Sequence, residues 1–339
     1  MAVVTIKDVA KAAGVSLGTA SMALNGKEGV HEETRRRVLE VSRALGYRPN
    51  QYAKLLISKQ TNTAGLIVTD ISNPFFGLII KRVEQELEAQ GYGLMLGMSD
   101  GSISKEKKIL RKFIDLRVDG VIIVPSHKQF PNISHLGELR ERGVPLCFIT
   151  TYYEDIDASC VMTDLSDGSY QLTRYLLNTG HKRLVYIMGN RATPVASLRA
   201  EGFQSAFHKA GMDPKRGEIV VDEATFEGGY HATDQLLKQS LPDAVLAMND
   251  IMAMGVIKRL KEANVPVPEV VSVAGYDDLI YASLLETPLT TVRQPVDQMC
   301  ARAVELLVND MRGRQGAAEK ILLKPSLVVR ASTRDRTKG

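Results

Sequence analysis

The sequence has few cysteines and no long apolar run, and each shortage excludes a class of protein. Cys147, Cys160 and Cys300 are far apart and show no CxxC spacing, so neither a disulfide framework nor a zinc site is indicated. We expect all three to be buried core thiols. No uninterrupted apolar stretch approaches the roughly 18 residues that span a bilayer. The sequence therefore predicts a protein without a membrane span.

The motifs of common catalytic and nucleotide-binding sites are also missing. The sequence has no GxGxxG after a strand, no GxxxxGK[ST], no GxSxG and no HExxH, and its six histidines do not cluster at metal-ligand spacing. We therefore predict no catalytic residue, no cofactor and no metal site, and hence no enzyme. The first residues lack the basic and long apolar segments of a secretory signal, so we expect a cytoplasmic location.

Positive charge is concentrated at the amino-terminal end. Residues 1–60 hold ten Lys and Arg against five Asp and Glu, a net charge of +5, whereas the whole chain has a net charge of +4. Everything after residue 60 is close to neutral. A small basic module joined to a neutral body suits a domain that binds a polyanion.

Residues 1–48, the headpiece, show three short helical patterns. Ile6, Val9, Ala10 and Ala13 form one apolar face, and Gly14 is placed to end that helix. Ser16 can cap a second helix, whose outward stripe combines residues at helical spacing: Leu17, Gly18, Ser21, Met22 and Asn25. A third helix is predicted from about Glu32 to Leu45. Two short helices around a tight turn, supported by a third, are the helix-turn-helix arrangement that enters the DNA major groove.

The headpiece sequence resembles a known family at this point. The strings TIKDVAKAAGVSLGTASMALNG and HEETRRRVLEVSRALGYRPN are similar to the DNA-binding headpiece of the lactose/galactose repressor (LacI–GalR) family of bacterial transcription regulators. The resemblance implies that the base-reading residues are Leu17, Gly18 and Met22. It also implies that the phosphate contacts are Thr5, Ser16, Thr19, Ser21, Asn25 and Thr34.

Two headpiece residues depart from the family pattern. Position 22 commonly carries Arg or His in the family and here is Met, while His31 stands where Ser is common. With Leu17, Gly18 and Met22, direct readout would rest mainly on apolar contacts, for instance with a thymine methyl group. We therefore expect an unusual operator half-site or a greater dependence on DNA shape.

Residues 49–60 match the family's hinge. Pro49 ends the third helix, and a helix of about nine residues is marginal in water because its nucleation is costly. The resemblance implies that the hinge becomes helical on DNA and lies at the minor groove, with Leu56 as the wedge that kinks the duplex. The minor-groove residues are then Ala53, Lys54, Leu55 and Leu56.

The body, residues 61–333, alternates short β-rich runs with amphipathic stretches. The runs lie at 64–68, 93–96, 120–124, 145–149, 184–188, 219–221, 244–247 and 271–274. Two successive βαβ series predict an α/β body of two doubly wound parallel sheets, each covered by helices. Ligands of such folds lie beyond the carboxyl ends of the strands.

The body also resembles the family's effector-binding core, which is similar to periplasmic sugar-binding proteins. This resemblance implies a cleft for a small-molecule effector, a sugar or sugar derivative. We assign polar contacts to Arg199, Asn249, Asp277 and Gln294, and apolar walls to Phe75, Phe76 and Phe226. Asn249 and Asp277 have a simpler alternative role as helix caps, and one of the two adjacent phenylalanines is expected to be core. Ile149-Thr150-Thr151 stands where family members often have an Asp.

The resemblance also predicts the assembly and the division of the chain. A palindromic operator in double-stranded DNA requires two headpieces, so we expect a homodimer with residues 78–96 and 105–120 in its interface. Within the body, one subdomain is predicted at about 61–162 and 293–322, and the other at about 163–290 and 323–333. Residues 334–339 are predicted to be a disordered tail.

The leading interpretation is thus a DNA-binding transcription regulator, most simply a repressor, controlled by a small effector that closes the two subdomains. Whether that effector releases DNA or promotes binding stays open. One alternative is a global carbon-type regulator whose main effector is a phosphorylated partner protein. Two others, a sugar-binding receptor without catalysis and a Rossmann-type enzyme, are opposed by the helix-turn-helix and by the missing motifs.

Overall fold

A computed structural model describes residues 4–47, 60–126, 132–189, 193–213, 217–314 and 316–338. The chain divides into two compact units, residues 1–61 and 62–339. The predicted hinge residues Ala53, Lys54, Leu55 and Leu56 lie outside the described residues.

The first unit contains the three predicted helices, α1 (Ile6–Ala13), α2 (Leu17–Leu24) and α3 (Glu32–Ala44). Their small core consists of Val9, Ala10, Ala13, Ala20, Ala23 and Val38. Gly14 ends α1 with a φ of 65°, a left-handed conformation that costs glycine least. The Ser16 hydroxyl caps α2 by accepting a hydrogen bond from the Thr19 N–H at 3.0 Å. These local signals fix where the helices start and stop, so the predicted helix-turn-helix is confirmed.

The first sheet of the second unit has six parallel strands in the order β11-β5-β4-β3-β1-β2. In chain order these are β1 (Thr63–Val68), β2 (Gly93–Met98), β3 (Gly120–Ile123), β4 (Leu146–Ile149), β5 (Ser159–Thr163) and β11 (Lys320–Leu323). The helices on this sheet are α4 (Pro74–Ala89), α5 (Ile103–Asp115), α6 (Ser134–Glu141) and α12 (Val296–Met311).

The helices of this first sheet cover both of its faces. Ile79 of α4 and Met299 of α12 pack with Leu66 of β1 on one face. Leu110 of α5 and Leu139 of α6 pack on the other. A strand buried on both faces reads as a continuous apolar run, which is why β1 was recognisable in the sequence.

The second sheet has four parallel strands in the order β7-β6-β8-β9. They are β6 (Leu184–Met188), β7 (Gly217–Val221), β8 (Ala244–Ala247) and β9 (Ser272–Ala274), with helices α7 (Leu165–Asn178), α8 (Pro194–Lys209), α9 (Phe226–Leu236), α10 (Asp250–Glu262) and α11 (Ile280–Leu284). Helices α7 and α8 touch through their backbones, since a Cβ at Gly202 would lie 2.0 Å from the Ser166 carbonyl oxygen. Both sheets therefore have the predicted doubly wound, parallel architecture.

Strands β10 (Thr291–Arg293) and β12 (Ser326–Val328) form a separate antiparallel pair. Between these two strands the chain forms α12, which packs on the first sheet, and β11, which is a strand of that sheet. The chain thus passes back and forth between the two sheets, and the crossing segments tie the halves of the second unit together. Their pairing partners are distant in sequence, and the apolar patterns did not reveal β5, β10, β11 or β12.

The prediction of a disordered tail is wrong for residues 334–338. The Arg336 backbone N–H donates to the Thr179 carbonyl oxygen at 2.8 Å, and its guanidinium lies 3.3 Å from the Asp243 carboxylate. Ser332, just before this segment, is fully buried. The polar composition suggested disorder, but the arginine is paired with a partly buried carboxylate nearly a hundred residues away.

The three cysteines are buried and free, as predicted. Burial raises the pKa of Cys300 to about 12, which keeps the thiol protonated and unreactive. Within the described ranges, no helix is both long and apolar enough to cross a membrane.

Candidate nucleic-acid interface and ligand cleft

Helix α2 has one buried and one exposed edge. Ala20 and Ala23 are buried against α1 and α3, whereas Leu17 is 46% exposed and Gly18 and Asn25 are exposed. Ser21 and Met22 are half-buried along the same outer edge. A leucine that exposes almost half of its surface at the start of a helix is available for contact with a partner. The structure thus brings the three candidate base-reading residues together on one accessible edge.

The candidate phosphate contacts are partly occupied by local hydrogen bonds. The Ser16 and Thr19 hydroxyls lie 2.8 Å apart, and the Asn25 amide donates to the Ser21 carbonyl oxygen at 2.8 Å. These bonds fix the side chains in place and leave each of them further hydrogen-bonding capacity. Thr34 is half-buried on α3.

Thr5 differs from the other candidates. Its hydroxyl donates to the Asp8 carboxylate at 2.7 Å, and its backbone N–H donates to the same oxygen at 2.8 Å. These hydrogen bonds lower the pKa of Asp8 below its ordinary value. Because a hydroxyl has a single proton, Thr5 must leave Asp8 before it can donate to a phosphate.

Sequence reasoning missed the role of Arg35 in holding the loop between α2 and α3. Its guanidinium donates to the Lys27 carbonyl oxygen at 2.7 Å, so this cation is turned back onto the protein.

The ligand cleft is a cavity of about 300 Å³ within the second unit. It lies at the carboxyl ends of both sheets, because its walls include Thr69 after β1, Thr150 after β4, Gly189 after β6 and Met248 after β8. Of the seven predicted effector contacts, the cavity is lined by six: Phe75, Phe76, Arg199, Asn249, Asp277 and Gln294.

Phe226 is the exception, since it does not line the cavity. It is the first residue of α9, and its side chain is 36% exposed. Ala224, two residues earlier in the chain, lines the cavity instead. The segment before α9 was correctly predicted to reach the cleft, but the residue that lines it is Ala224 and not Phe226.

Three polar residues of the cleft are joined around one carboxylate. Asp277 Oδ1 accepts from Gln294 Nε2 at 2.8 Å and lies 3.3 Å from Arg199 Nη2. The same arginine donates through Nη1 to the Met248 carbonyl oxygen and lies over the Tyr276 ring, 3.8 Å from its centroid. Arg199 and Asp277 are each about 5% exposed. Charges this deeply buried need partners, and here they partner each other.

Some hydrogen-bonding capacity remains unused in this group. Arg199 Nε is buried and has no hydrogen-bond partner among the described residues. No described residue donates to the second carboxylate oxygen of Asp277 either. A buried cation and a buried acceptor with open positions, side by side, can bind neighbouring hydroxyl groups of one ligand.

The backbone at this place is strained. Asp277 has a φ of 115° and Asp278 a φ of 54°, although neither is glycine. Non-glycine residues in this region cost about 1–3 kcal/mol each and occur mostly where a site demands them. Asp278 is held in place by the guanidinium groups of Arg293 and Arg330, both at 2.6 Å.

Burial raises the pKa of Asp277 to about 6, and the nearby Arg199 and Gln294 oppose part of this shift. Because the folded pKa exceeds the ordinary 3.8, the folded state binds the proton more tightly than the unfolded chain does. The free energy of unfolding is therefore expected to decrease as pH rises from about 4 to about 6, by at most about 3 kcal/mol.

Chemical denaturation of the wild type and of Asp277→Asn at several pH values checks this expectation. In the variant, the free energy of unfolding should lack the decrease with pH that Asp277 causes in the wild type. Burial raises the pKa of Asp250 in both proteins, whereas the charge of Asp277 raises it further only in the wild type. Parallel curves for the two proteins would show that Asp277 is not the titrating group.

Asn249 caps a helix and also lines the cavity. Its Oδ1 accepts from the Met252 N–H at 2.7 Å and so caps α10, and its Nδ2 donates to the Ala224 carbonyl oxygen at 3.1 Å. The residue nevertheless lines the cavity. The cap fixes the amide group at the cleft wall.

Phe75 and Phe76 also combine two roles. Their rings meet edge to face with centroids 5.6 Å apart, and both belong to the core under α4. One of them was expected to be core; both are, and both also line the cavity.

Further lining residues were not predicted as contacts, and they share one feature. Each of the following lies in a loop at the carboxyl end of a strand: Thr69, Asp70, Asp100, Gly101 and Thr150. That position was the available signal, because parallel sheets bind ligands there. Thr150 occupies the place of the missing Asp and has a φ of 72°. Across the described residues, no cluster of metal-binding side chains occurs.

Comparison with protein families gives two matches. Residues 5–50 match the bacterial regulatory proteins of the lacI family, and residues 173–333 match the periplasmic binding protein-like domain.

The chain is also similar over nearly its whole length to curated transcription regulators. It is 33% identical over 329 residues to the HTH-type transcriptional regulator DegA of Bacillus subtilis (strain 168), covering 97% of this chain and 98% of that protein. It is 33% identical over 331 residues to the ribose operon repressor of Escherichia coli (strain K12), covering 97% and 99%. These relatives are regulators of transcription and not enzymes.

Two solved structures extend the similarity to the fold. The Lac repressor dimer bound to operator and the anti-inducer ONPF gives a TM-score of 0.89 at 26% identity, covering 98% of this chain and 100% of that one. A LacI-family regulator from Enterococcus faecium with bound ribose gives a TM-score of 0.73 at 26% identity, covering 80% and 99%.

Proposed function

This chain belongs to the LacI family of bacterial regulatory proteins, and from that membership we propose that it is a cytoplasmic repressor controlled by a neutral sugar in its cleft. Its headpiece binds operator DNA, its body binds the effector, and the hinge between them transmits the signal. The observation that supports effector binding is that one cavity is lined by Arg199, Asn249, Asp277 and Gln294.

The chemistry of the cavity supports a polyhydroxylated effector. A guanidinium group, a carboxylate and two amides can pair with vicinal hydroxyls, and Phe75 and Phe76 offer an apolar wall to the ring face. A volume of about 300 Å³ suits a ligand of sugar size. Among the relatives, one is a ribose operon repressor and another was solved with ribose. These names support the sugar class without selecting one sugar.

The accessible edge of α2 supports the DNA-binding half. Leu17, Gly18 and Met22 are proposed to contact bases, while Ser16, Thr19, Ser21, Asn25, Thr34 and, once freed from Asp8, Thr5 contact phosphates. The hinge contacts at Ala53, Lys54, Leu55 and Leu56 stay a prediction from the family resemblance.

We propose a homodimer because a palindromic operator has two half-sites, and each half-site requires one headpiece. Strand β2 is an edge strand of the first sheet, and it exposes Leu96 and Met98. Leu78 on α4 and Leu116 after α5 are exposed as well. Exposed apolar side chains along an open edge favour burial against a second copy, and the Lac repressor is a dimer in the similar structure.

The experiment that tests the proposal uses the full-length protein. Selection from random duplexes should yield a palindromic site, and binding to it should weaken steeply with salt because phosphates are neutralised. Ribose, glucose, galactose and cellobiose are then titrated against the protein–DNA complex. A change in operator affinity with one sugar supports the proposal, and binding to DNA without any response to these sugars would contradict the effector half.

Replacing Met22 by Arg is expected to change which bases are preferred. Methionine offers only apolar contact, whereas arginine can pair with guanine through two hydrogen bonds worth about 1–3 kcal/mol. The preferred half-site should therefore gain a guanine at the contacted position. Competition binding with variant operators measures the change, and Met22→Leu serves as the control that keeps the original preference. An unchanged site for Met22→Arg would show that residue 22 does not contact bases.

A further inference from the structure

A second polar cluster lies inside the first subdomain, apart from the residues of the cleft. At its centre is Glu106 on α5, a carboxylate with no solvent exposure. His135 Nε2 lies 2.8 Å from Glu106 Oε1. The Tyr153 hydroxyl and the Ser126 hydroxyl both donate to Glu106 Oε2 at 2.9 Å, and the Ser126 backbone N–H is 3.1 Å from the same oxygen. Four donors thus converge on one buried carboxylate.

The cluster continues to the neighbouring strand ends. Ser126 Oγ lies 3.2 Å from Ser99 Oγ, and the Ser99 hydroxyl donates to the Val68 carbonyl oxygen at 3.3 Å. All of these side chains are at most 5% exposed. Burial, reinforced by the Glu106 carboxylate, raises the pKa of Tyr153 above its usual value, so this hydroxyl stays a hydrogen-bond donor.

Three members of this cluster, Val68, Ser99 and Tyr153, come from segments that also form the cleft wall. Val68 is followed by Thr69, and Ser99 is followed by Asp100 and Gly101, all three of which line the cavity. Tyr153 belongs to the same loop as the lining residue Thr150. Glu106 therefore lies directly behind this wall, and it reaches the loops that follow β2, β3 and β4.

We propose that Glu106 is a positioning residue for the effector site, which fixes the loops of one cleft wall without touching the ligand. The inference rests on the proposed function, since it assumes that the cavity binds the effector. Packing alone does not require a carboxylate here, because an apolar side chain could fill the same volume without the cost of burying a charge. A carboxylate that is fully hydrogen-bonded holds its partners in one geometry, and the partners here are loop residues.

The decisive comparison is between Glu106→Met and Glu106→Gln. Methionine is similar in size but accepts none of the four hydrogen bonds, so the loops lose their common anchor. Glutamine can present its oxygen to Ser126 and Tyr153 and its amide to His135, whose ring accepts in the other tautomer. We expect Glu106→Met to weaken effector binding about 30-fold or more, and Glu106→Gln to stay within about 3-fold of the wild type.

Leu110→Ala is the matched control for lost stability. Leu110 lies one turn further along α5, is 1% exposed and packs in the apolar core between α5 and the sheet, where it has no polar group that could bond to the loops. Glu106→Met and Leu110→Ala should both lower the melting temperature by several degrees, while Leu110→Ala should leave effector affinity unchanged. Tyr153→Phe removes one donor to Glu106 together with the hydroxyl that accepts from the Ser126 N–H, and it gives a milder, fully folded counterpart if Glu106→Met does not fold. It should weaken effector binding about 5-fold.

Two measurements on full-length protein decide the outcome. Calorimetry with ribose, glucose, galactose and cellobiose gives effector affinity, and hydrogen exchange of the peptide covering residues 97–104 reports loop order without any ligand. In the wild type the Ser99 and Ser102 amides are bonded to Val68 and Ser99 carbonyl oxygens at 2.9 and 2.8 Å. Their exchange should accelerate about tenfold in Glu106→Met and hardly at all in Leu110→Ala.

Equal effects of Glu106→Met and Leu110→Ala on both measurements would overturn the inference, as would an unchanged exchange rate in Glu106→Met. If no sugar binds the wild type, the proposed sugar effector fails, yet the exchange experiment still tests the role of Glu106.

Discussion

Replacing Arg199 by leucine is expected to abolish the response to effector while operator binding without effector persists. The guanidinium group lies in the cavity beside Asp277 and keeps an unused donor, Nε, in a buried position. Two hydrogen bonds from a charged group to a ligand are together worth about 3 kcal/mol or more, which corresponds to an affinity loss of about 100-fold or more. The headpiece does not include this residue, so DNA binding should change little.

Stability should decrease only moderately in this variant. Removing one partner of a buried ion pair ordinarily costs about 3–5 kcal/mol because the other charge stays unpaired. With a pKa of about 6, Asp277 can take up a proton near neutral pH and so avoid most of that cost. We therefore expect a loss of about 1–2 kcal/mol in the free energy of unfolding at pH 7.

The matched control is Arg259→Leu in the same subdomain. Arg259 binds the Asp234 carboxylate at 2.8 Å on the surface of α9 and α10, far from the cavity lining. A partly exposed pair of this kind contributes about 1 kcal/mol. Operator titrations with and without sugar, together with calorimetry, compare the three proteins. Undiminished sugar affinity in Arg199→Leu would remove this residue from the effector site.

Arg199, Asp277 and Gln294 also connect the two halves of the body. Arg199 is on α8 and Asp277 follows β9, so both belong to the second sheet. Gln294 follows β10 and stands two residues before α12, which packs on the first sheet. A ligand that draws these three side chains together therefore acts on a segment that crosses between the sheets. This is how occupancy of the cleft can be transmitted beyond the ligand itself.

The sequence revealed those parts of the fold whose signals are local. Gly14 at the end of α1 and Ser16 at the start of α2 have the predicted cap geometry, because a cap depends only on its immediate neighbours. The eight apolar runs correspond to eight of the body strands. Six of these strands, β3 and β8 for instance, are buried throughout or nearly so, and a strand buried on both faces is apolar throughout. Strands β2 and β7 are apolar runs although they are partly exposed. Arg199 and Asp277 were found by resemblance, and their pairing became visible only in three dimensions.

The features that escaped prediction depend on distant contacts. Strand β11 is only four residues long and exposes Leu322, and its place at the edge of the first sheet is set by its pairing with the distant strand β5. Arg336 is ordered by Asp243, and Glu106 is buried beneath the loop residues Ser126 and Tyr153 and the helical residue His135. Its spacing from Leu110 and Phe113 places Glu106 on the buried face of α5, but its bonding partners cannot be read from that spacing. Its role follows from the meeting of segments that are up to 47 residues apart.

Leu17→Asp and Ala20→Asp are expected to abolish operator binding for opposite reasons. Leu17 is 46% exposed at the first position of α2, where a carboxylate interacts favourably with the helix dipole. The headpiece should therefore stay folded, while the new charge faces the phosphates and lowers operator affinity by about 100-fold or more. Ala20 is fully buried, and a carboxylate there should unfold the headpiece because nothing can solvate or pair with it.

Circular dichroism and limited proteolysis separate the two mechanisms, and fluorescence anisotropy with a labelled operator measures the loss of binding. Leu17→Asn is the uncharged control and should retain much more affinity than Leu17→Asp. The pair tests the property on which DNA recognition depends, namely that one edge of α2 is free while the opposite edge anchors it. Wild-type operator affinity in a folded Leu17→Asp protein would mean that DNA is bound by another surface.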